Sequence, residues 1–167
     1  WKGTWFGEGG GALANQGIHT VDQFYWMMGE VDTVYGQYAT VAHNIQAEDF
    51  CTSLMKFKNG AVGYVICTTC MQRESQETRL SIYGTKGVAS RIGEQMTIKT
   101  EGQPEETVSG EKLKKDTLTT MPGGPHAWQC RDFIDAILED RDPAVTGESA
   151  LKAVEIVTAV YQSALQG

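Results

Sequence analysis

Residues 9–29 run Gly9-Gly10-Gly11-Ala12-Leu13-Ala14-Asn15-Gln16-Gly17-Ile18-His19-Thr20-Val21-Asp22-Gln23-Phe24-Tyr25-Trp26-Met27-Met28-Gly29. The pattern predicts a glycine-rich turn, a helix of about five turns and a glycine stop. At 100° per residue, one face of this helix is apolar and carries Leu13, Gly17, Val21, Phe24 and Met28. The opposite face carries Asn15, His19, Asp22 and Trp26 at spacings of four, three and four, so these side chains are expected to lie one above another. We therefore expect the helix to pack by one face and to line a polar cleft with the other.

The same stretch resembles the second domain of the Gfo/Idh/MocA family, the NAD(P)-dependent sugar and cyclitol dehydrogenases. The likeness rests on three glycines and Ala-Leu, then Asn-Gln-Gly-Ile-His with an Asp three residues later, and a closing Trp-Met-Met-Gly. It extends over nearly the whole chain, except for residues 100 to 125, through Ala47-Glu48-Asp49, Phe57-Lys58-Asn59-Gly60-Ala61, Tyr83-Gly84-Thr85-Lys86-Gly87 and Tyr161-Gln162-Ser163-Ala164.

The resemblance implies a function for the helix. The active-site histidine of the family falls on His19, and the carboxylate often found four residues earlier is replaced by Asn15. The family uses NAD or NADP, bound mainly by an N-terminal dinucleotide-binding domain that also supplies a catalytic lysine. The expected substrate is a sugar, a sugar derivative or a cyclitol.

Length and charge bound the remaining possibilities. A chain of 167 residues is expected to form a single substrate-binding and oligomerisation domain over residues 1–167. The net charge of −7 and the lack of a basic stripe argue against nucleic acid as a partner. No apolar run of about 18 residues is present, so we expect no membrane span, and we predict a cytoplasmic protein. Because the chain begins at Trp1 without a Met, we expect it to be a fragment, and the resemblance implies that the dinucleotide-binding domain lies outside it.

Two local motifs suggest chemistry that the context does not support. Cys67 and Cys70 form a Cys-x-x-Cys in the strand-like run 62–70, where residues three apart point to opposite faces, so we predict reduced structural thiols and no metal site. Gly7 to Ala12 matches the dinucleotide fingerprint G-x-G-x-x-A, but Gly3-Thr4-Trp5-Phe6 before it is not a buried strand. We therefore predict no cofactor-binding residues in this chain.

The middle of the chain predicts strands joined by hairpins, and the end predicts helices. Asn59-Gly60 indicates a two-residue hairpin loop, and residues 101 to 125 predict a long loop. The predicted strands lie at 31–43, 49–57, 61–70, 78–83, 88–92 and 96–99. The predicted helices lie at 126–140, with Ala127, Cys130, Ile134, Ile137 and Leu138 on its apolar face, and from Thr146 onward, with a stripe of Ala150, Val154, Val157, Val160, Tyr161 and Ala164.

The fold class is therefore α+β, a largely antiparallel or mixed open sheet with helices packed on one face, as in the C-terminal domain of the resembled family. Strand residues such as Val34, Tyr38, Val62, Tyr64 and Ile66 are too apolar for a second face covered only by water. We expect that face to form a homo-oligomer, as it often does in the family.

Oxidation of a secondary alcohol needs a base for the hydroxyl proton, and His19 is the natural candidate because its ordinary pKa lies near neutral pH. Asn15 is predicted to orient the imidazole or to bind a sugar hydroxyl. Lys2 and Trp5, which precede the helix, are predicted to reach the substrate, as are Trp26 and His126, the latter at a predicted helix start. Asp22 is interpreted as structural.

Three functions remain open at this stage. The first is the substrate-binding and catalytic half of an NAD(P)-dependent dehydrogenase that oxidises a CH–OH group. The second is a non-catalytic binding or assembly module of the same fold, which the replacement of Asp by Asn15 favours. The third is an NAD-dependent glycosidase.

Overall fold

The structure is a computed structural model that describes residues 1–72, 77–93, 95–109 and 124–167. Contacts divide the chain into two compact units. The first comprises Trp1–Gln76 together with Gly147–Gly167, and the second comprises Glu77–Thr146.

The first unit is a three-stranded antiparallel sheet with helices against it. It contains α1 (Trp5–Glu8), a π-helical turn (Leu13–Gly17) that continues into α2 (Ile18–Met28), β1 (Val31–Ala39), β2 (Phe50–Phe57), β3 (Val62–Thr68) and the last helix, Gly147–Gln166. The strands lie in the order β1-β2-β3. Helix α2 packs against the last helix, which also packs on β1.

Alternation along β2 separates the two faces of this sheet. Cys51, Ser53, Met55 and Phe57 are buried, whereas Leu54 between them is exposed. The ring of Phe57 meets that of Phe24 from α2 edge to face, with centroids 5.2 Å apart. The core therefore lies between the helices and one face of the sheet, as the apolar face of residues 13–28 predicts.

The β2–β3 hairpin differs from its predicted loop. The amide of Gly60 donates to the carbonyl of Phe57, and the amide of Phe57 donates to the carbonyl of Ala61, which makes a three-residue loop. Within this loop only Gly60 has a positive φ, of 89°. A two-residue type I′ turn needs two such residues, so it is not formed. The prediction of a hairpin at Asn59-Gly60 is confirmed, and its predicted loop length was wrong.

The second unit is a four-stranded antiparallel meander followed by a helix. Its elements are β4 (Arg79–Gly84), β5 (Gly87–Ile92), β6 (Gln95–Thr100), β7 (Glu106–Ser109) and α3 (Gly124–Glu139), with strand order β4-β5-β6-β7. The last helix, Gly147–Gln166, is therefore α4. Strand β7 lies where the sequence predicted only loop, because pairing with β6 supplies hydrogen bonds that a polar segment does not signal. The rest of that predicted loop, residues 110–123, lies outside the described residues.

The α+β class and the antiparallel pairing are confirmed. The strands form two hydrogen-bonded sheets, one in each unit, where the sequence suggested one. No helix in the described ranges combines the length and the apolar character needed to cross a bilayer.

The predicted apolar faces of the two last helices were wrong in part. In α4 the buried residues are Ala153, Ile156, Val157 and Val160, whereas Ala150 and Val154 are exposed. The buried face of α4 is thus rotated from the predicted one. The helix packs closely on β1 at Gly36, where a Cβ would lie 2.3 Å from the carbonyl oxygen of Val160. In α3 the predicted face is largely exposed: Cys130, Ile134, Ile137 and Leu138 all face solvent, and Ala136 is buried.

Candidate active site

The polar face of the long helical segment is exposed, as the periodicity predicts. Asn15, His19 and Asp22 face solvent, and Trp26 is 82% exposed. On the opposite face Leu13, Val21 and Phe24 are buried, and Gly17 is buried as well. The helix ends at Gly29, which has a φ of 83° and donates its amide to the carbonyl of Tyr25. The fold therefore presents these polar side chains together on one outward face of the first unit.

Asn15 does not lie in a regular α-helix. Residues Leu13–Gly17 form a π-helical turn, in which hydrogen bonds join residues five apart in place of four. The predicted stacking of Asn15 over His19 assumed a spacing of four, and among the described residues the two side chains make no hydrogen bond to each other. Gly17 allows this turn to approach β3, since a Cβ there would lie 2.4 Å from the Sγ of Cys67. Single π turns in helices frequently occur at functional sites.

A buried carboxylate holds the start of this segment. Glu48 is 0% exposed. Its Oε2 accepts a hydrogen bond from the amide of Gly11 at 2.5 Å, and its Oε1 accepts one from the amide of Leu13 at 2.8 Å. The backbone oxygen of Glu48 accepts from the amide of Ala12 at 3.0 Å. A carboxylate at this end is also favoured by the helix dipole.

Tyr161 of α4 completes the arrangement. Its hydroxyl donates to Oε1 of Glu48 at 2.8 Å and accepts from the amide of Ala14 at 3.2 Å. The glycines before the helix make room for these groups: a Cβ on Gly11 would lie 1.8 Å from the carbonyl oxygen of Glu48, and one on Gly10 would lie 2.3 Å from the Tyr161 hydroxyl. The glycine-rich turn is therefore a close-approach site for this chain's own residues.

The same contacts bear on the dinucleotide fingerprint at Gly7 to Ala12. It follows the short helix α1 in place of a buried strand. The amides of Gly11 and Leu13, which a phosphate would use at a helix N-terminus, are bonded to Glu48. These amides are therefore not free to hold a dinucleotide phosphate in this structure.

Sequence reasoning gave no role to Glu48 and placed Tyr161 only on the apolar stripe of the last helix. Both lie in segments that resemble the family, but the residues they bind lie 35 to 147 positions away. The available signal was the glycine run itself, which had no local capping residue: Ala12 stands before the π turn and makes no side-chain cap.

Trp5 lies in a cluster of three aromatic rings. Its ring centroid is 5.3 Å from that of Tyr38 and 5.2 Å from that of Tyr161, and the last two are 5.9 Å apart. Trp5 is half-buried, whereas Lys2 is exposed, with its Nζ 6.0 Å from the ring centroid of Trp1. Packing therefore accounts for part of the Trp5 ring, and the predicted substrate contacts of Trp5 and Lys2 stay predictions.

His126 belongs to the second unit. It is exposed in the first turn of α3, which begins two residues before it at Gly124. The predicted helix start is confirmed to within two residues. Its substrate contact stays a prediction.

Asp49, next to Glu48, closes a loop. Its buried carboxylate accepts hydrogen bonds from the amides of Val41, Ala42 and His43 at 2.7–2.8 Å, and the Nδ1 of His43 lies 3.0 Å away. Burial acts to raise the pKa of Asp49, but the three amide hydrogen bonds outweigh it and hold that pKa well below its usual range. Ligand atoms of His43, Asp49 and Cys70 lie within 4.8 Å of one another. The acceptor sites of the carboxylate are nevertheless largely used by the loop, which indicates a structural role.

Two of the cysteine thiols, those of Cys51 and Cys67, lie in environments that suppress the thiolate. Burial, with the Glu48 charge nearby, raises the pKa of Cys51 to about 12 and that of Cys67 to about 11. Cys70 donates to the carbonyl of Asp49, and Cys67 lies against Gly17, so the two thiols of the Cys-x-x-Cys have different neighbours. Protonated thiols are poor nucleophiles, which supports a structural reading of Cys51 and Cys67.

A concavity in the second unit is not an evident site of alcohol oxidation. Its volume is about 580 Å³, and Ile98, Thr100, Gln103, Pro104, Glu105 and Glu106 line it. None of the residues predicted to bind substrate or to take a proton is among them.

Comparison with known proteins places these features in context. The model of the oxidoreductase family C-terminal alpha/beta domain (Gfo/Idh/MocA) matches residues 1–167. D-apiose dehydrogenase of Rhizobium rhizogenes is 26% identical over 164 residues, which cover 93% of this chain and 47% of that protein. The chain therefore spans about half the length of the curated relative that it matches.

Two solved structures are similar across the chain. The WlbA dehydrogenase of Bordetella pertussis, in complex with NADH and UDP-GlcNAcA, has a TM-score of 0.83 and 28% identity and covers 100% of this chain and 49% of its own. Levoglucosan dehydrogenase, in complex with NADH and levoglucosan, has a TM-score of 0.80 and 22% identity. The match covers 99% of this chain and 51% of that protein, and at this identity it supports the fold alone.

Proposed function

Since the chain belongs to the Gfo/Idh/MocA oxidoreductase family and matches its C-terminal domain, we propose that it is the substrate-binding and catalytic half of an NAD(P)-dependent dehydrogenase. The substrate class is a sugar, a sugar derivative or a cyclitol, in which one CH–OH group is oxidised. Sugar substrates and bound NADH are named for the similar proteins, which supports this choice.

The observation that carries the proposal is His19, exposed on the outward face of a helix whose opposite face is buried. A neutral imidazole there accepts the hydroxyl proton of the substrate as the C–H bond breaks. The nicotinamide cofactor, held by a further domain outside residues 1–167, supplies the hydride acceptor. This division agrees with the amides of Gly11 and Leu13 being bonded to Glu48.

Asn15 and Trp26 share the face of His19, and we assign them to the substrate. An amide side chain both donates and accepts hydrogen bonds, which suits a sugar hydroxyl, and an indole ring packs on the apolar face of a sugar ring. Since Asn15 carries no charge, it cannot stabilise an imidazolium as an Asp would. Lys2, Trp5 and His126 are proposed as further contacts with the substrate.

We also propose that a second copy of this chain covers the outer face of the first unit's sheet. Tyr35, Leu54 and Tyr64 lie side by side on that face, in register across β1, β2 and β3, and all three are exposed. Val62 and Ile66 extend the same apolar surface along β3. The cytoplasmic location stays a prediction.

The test is steady-state kinetics of His19→Ala in the complete enzyme, with a panel of sugars and cyclitols. We expect kcat to fall by about 10²- to 10⁴-fold, as for loss of a positioned general base, with dinucleotide binding unchanged. Gln16→Ala, an exposed neighbour in the π turn, is the matched control and should keep parental turnover.

Two results would favour the alternatives. Near-parental turnover of His19→Ala together with a much lower unfolding temperature would mean that His19 is structural. The catalytic base would then lie outside this helix, which favours an assembly role for residues 1–167 within the complete enzyme. Hydrolysis of glycosides with NAD needed but no net NADH formed would indicate the glycosidase.

A further inference from the structure

Four consecutive backbone amides at the start of the helical segment are bonded by two residues from elsewhere in the chain. Gly11, Ala12 and Leu13 donate to Glu48, and Ala14 donates to the Tyr161 hydroxyl. The first four amides of a helix have no partner within it, and a local cap usually satisfies only one or two of them. Here all four amides have a hydrogen-bond acceptor within the protein, so none of them is left to donate to water.

The two capping residues lie on different elements. Glu48 lies two residues before β2, and Tyr161 lies on α4, so the helix start is bonded both to the segment that enters the sheet and to α4. Their own hydrogen bond, from the Tyr161 hydroxyl to Oε1 of Glu48, links the two anchors. A helix end fixed from two directions cannot slide or rotate without breaking at least one of these bonds.

The residues that Glu48 and Tyr161 hold are linked to the proposed site by one hydrogen bond. The amide of Gly11 is bonded to Glu48, and the carbonyl of Gly11 accepts a hydrogen bond from the amide of Asn15 at 3.0 Å. The π turn that contains Asn15 starts at Leu13, which is also bonded to Glu48, and continues into the helix that carries His19. The position of both side chains therefore depends on where Glu48 holds residues 11–13.

We propose that Glu48 and Tyr161 are positioning residues, which hold Asn15 and His19 in the geometry that alcohol oxidation needs. This inference rests on the proposed function. A catalytic group displaced by about 1 Å can lose on the order of 100-fold in rate, so a modest shift of the helix start has a measurable kinetic effect.

The experiment compares Glu48→Gln and Tyr161→Phe with a matched pair in the complete enzyme. A glutamine can accept from one of the two amides, but its NH₂ group then faces the other, which loses its partner. Phenylalanine keeps the ring of Tyr161 among its aromatic neighbours and removes only the hydroxyl. The matched pair is Glu30→Gln and Tyr25→Phe, because the Tyr25 hydroxyl also donates to a glutamate, at the exposed far end of the same helix.

We expect kcat to fall at least about 10-fold in Glu48→Gln and about 3- to 10-fold in Tyr161→Phe, with the KM for the dinucleotide unchanged. Both control variants should keep the parental kcat. Thermal unfolding is measured beside the kinetics, at an assay temperature where each variant is fully folded, so that loss of fold is not counted as loss of position.

Each other result decides against the proposal. Parental kcat in a folded Glu48→Gln, or a kcat that falls only with the folded fraction, would make the cap purely structural. If Glu48→Gln does not fold, Tyr161→Phe decides by the same criteria, and failure of both to fold would show that the cap serves folding. If His19→Ala keeps parental turnover, the proposed function fails first. If only His19→Ala loses turnover, the positioning role alone is refuted.

Discussion

The hydroxyl of Tyr161 donates a 2.8 Å hydrogen bond to the carboxylate of Glu48, across 113 positions of sequence. Burial and the neighbouring Glu48 raise the pKa of Tyr161 well above its usual range, so the hydroxyl keeps its proton at every physiological pH. The hydrogen bond therefore keeps its donor proton at neutral pH. It joins the last helix to the point where the candidate active-site helix begins.

Gly11→Ala tests this junction by filling its space. A Cβ at Gly11 would lie 1.8 Å from the backbone oxygen of Glu48, which cannot move away as a flexible side chain can. We expect the free energy of unfolding to fall by at least about 2 kcal/mol, measured by denaturant or thermal unfolding. Gly147→Ala is the control, since a Cβ there meets nothing within 4 Å, and its stability should change by less than about 1 kcal/mol. Equal stability of the two variants would contradict the close packing at Gly11.

Asn15→Asp restores the carboxylate that is commoner in the family. A negative charge near His19 favours the imidazolium that forms when the substrate proton is taken, so we expect kcat to be kept or raised. The same charge should move the acid limb of the pH–rate profile to higher pH, because His19 then holds its proton more strongly. Gln16→Glu, in the same turn, adds the same charge and is the control. Equal shifts in both variants would show a general charge effect without a special place for residue 15.

Acid should selectively remove the contribution of Asp49. Its folded-state pKa is held below its ordinary value of 3.8, so ionised Asp49 stabilises the fold above that value. The contribution declines as the pH falls below it, because the unfolded chain binds the proton first. Asp49→Asn should therefore lower the unfolding temperature at pH 6, and its difference from the parent should shrink toward pH 2.5. Asp32→Asn, at an exposed ion pair with Lys56, should change little at either pH. A difference that grows on acidification would contradict the assignment.

The outer face of the first sheet should govern self-association. Leu54 and Tyr64 are cross-strand partners and are 61% and 68% exposed, so lysine at either position should leave the folded unit intact. We expect the wild-type chain to sediment as a dimer or larger species at micromolar concentration and Tyr64→Lys to dissociate at least about 10-fold more readily. Leu165→Lys, exposed near the end of α4, is the control. A strictly monomeric wild type would refute this interface.

The local periodicity of residues 13–28 predicted which face of the helix is buried, and the structure bears this out at Leu13, Val21 and Phe24. Such a pattern is available from sequence because neighbours on one helix face are only three or four residues apart. The α+β class and the hairpin at Gly60 were predictable for the same reason, since turns and strands have short-range signals. The roles of Asn15 and His19 come from the family resemblance and stay predictions.

The cap at the helix start was not predictable in this way. Gly10 and Gly11 indicated only a tight turn, and their need for space comes from Glu48 and Tyr161, which the fold brings there from distant positions. The π turn, the rotation of α4 toward Gly36 and the pairing of β7 likewise depend on partners that lie outside each segment. A short segment carries its own preference for helix, strand or turn, but which atoms it meets is set by packing, because buried amides and side chains must find partners across the whole molecule.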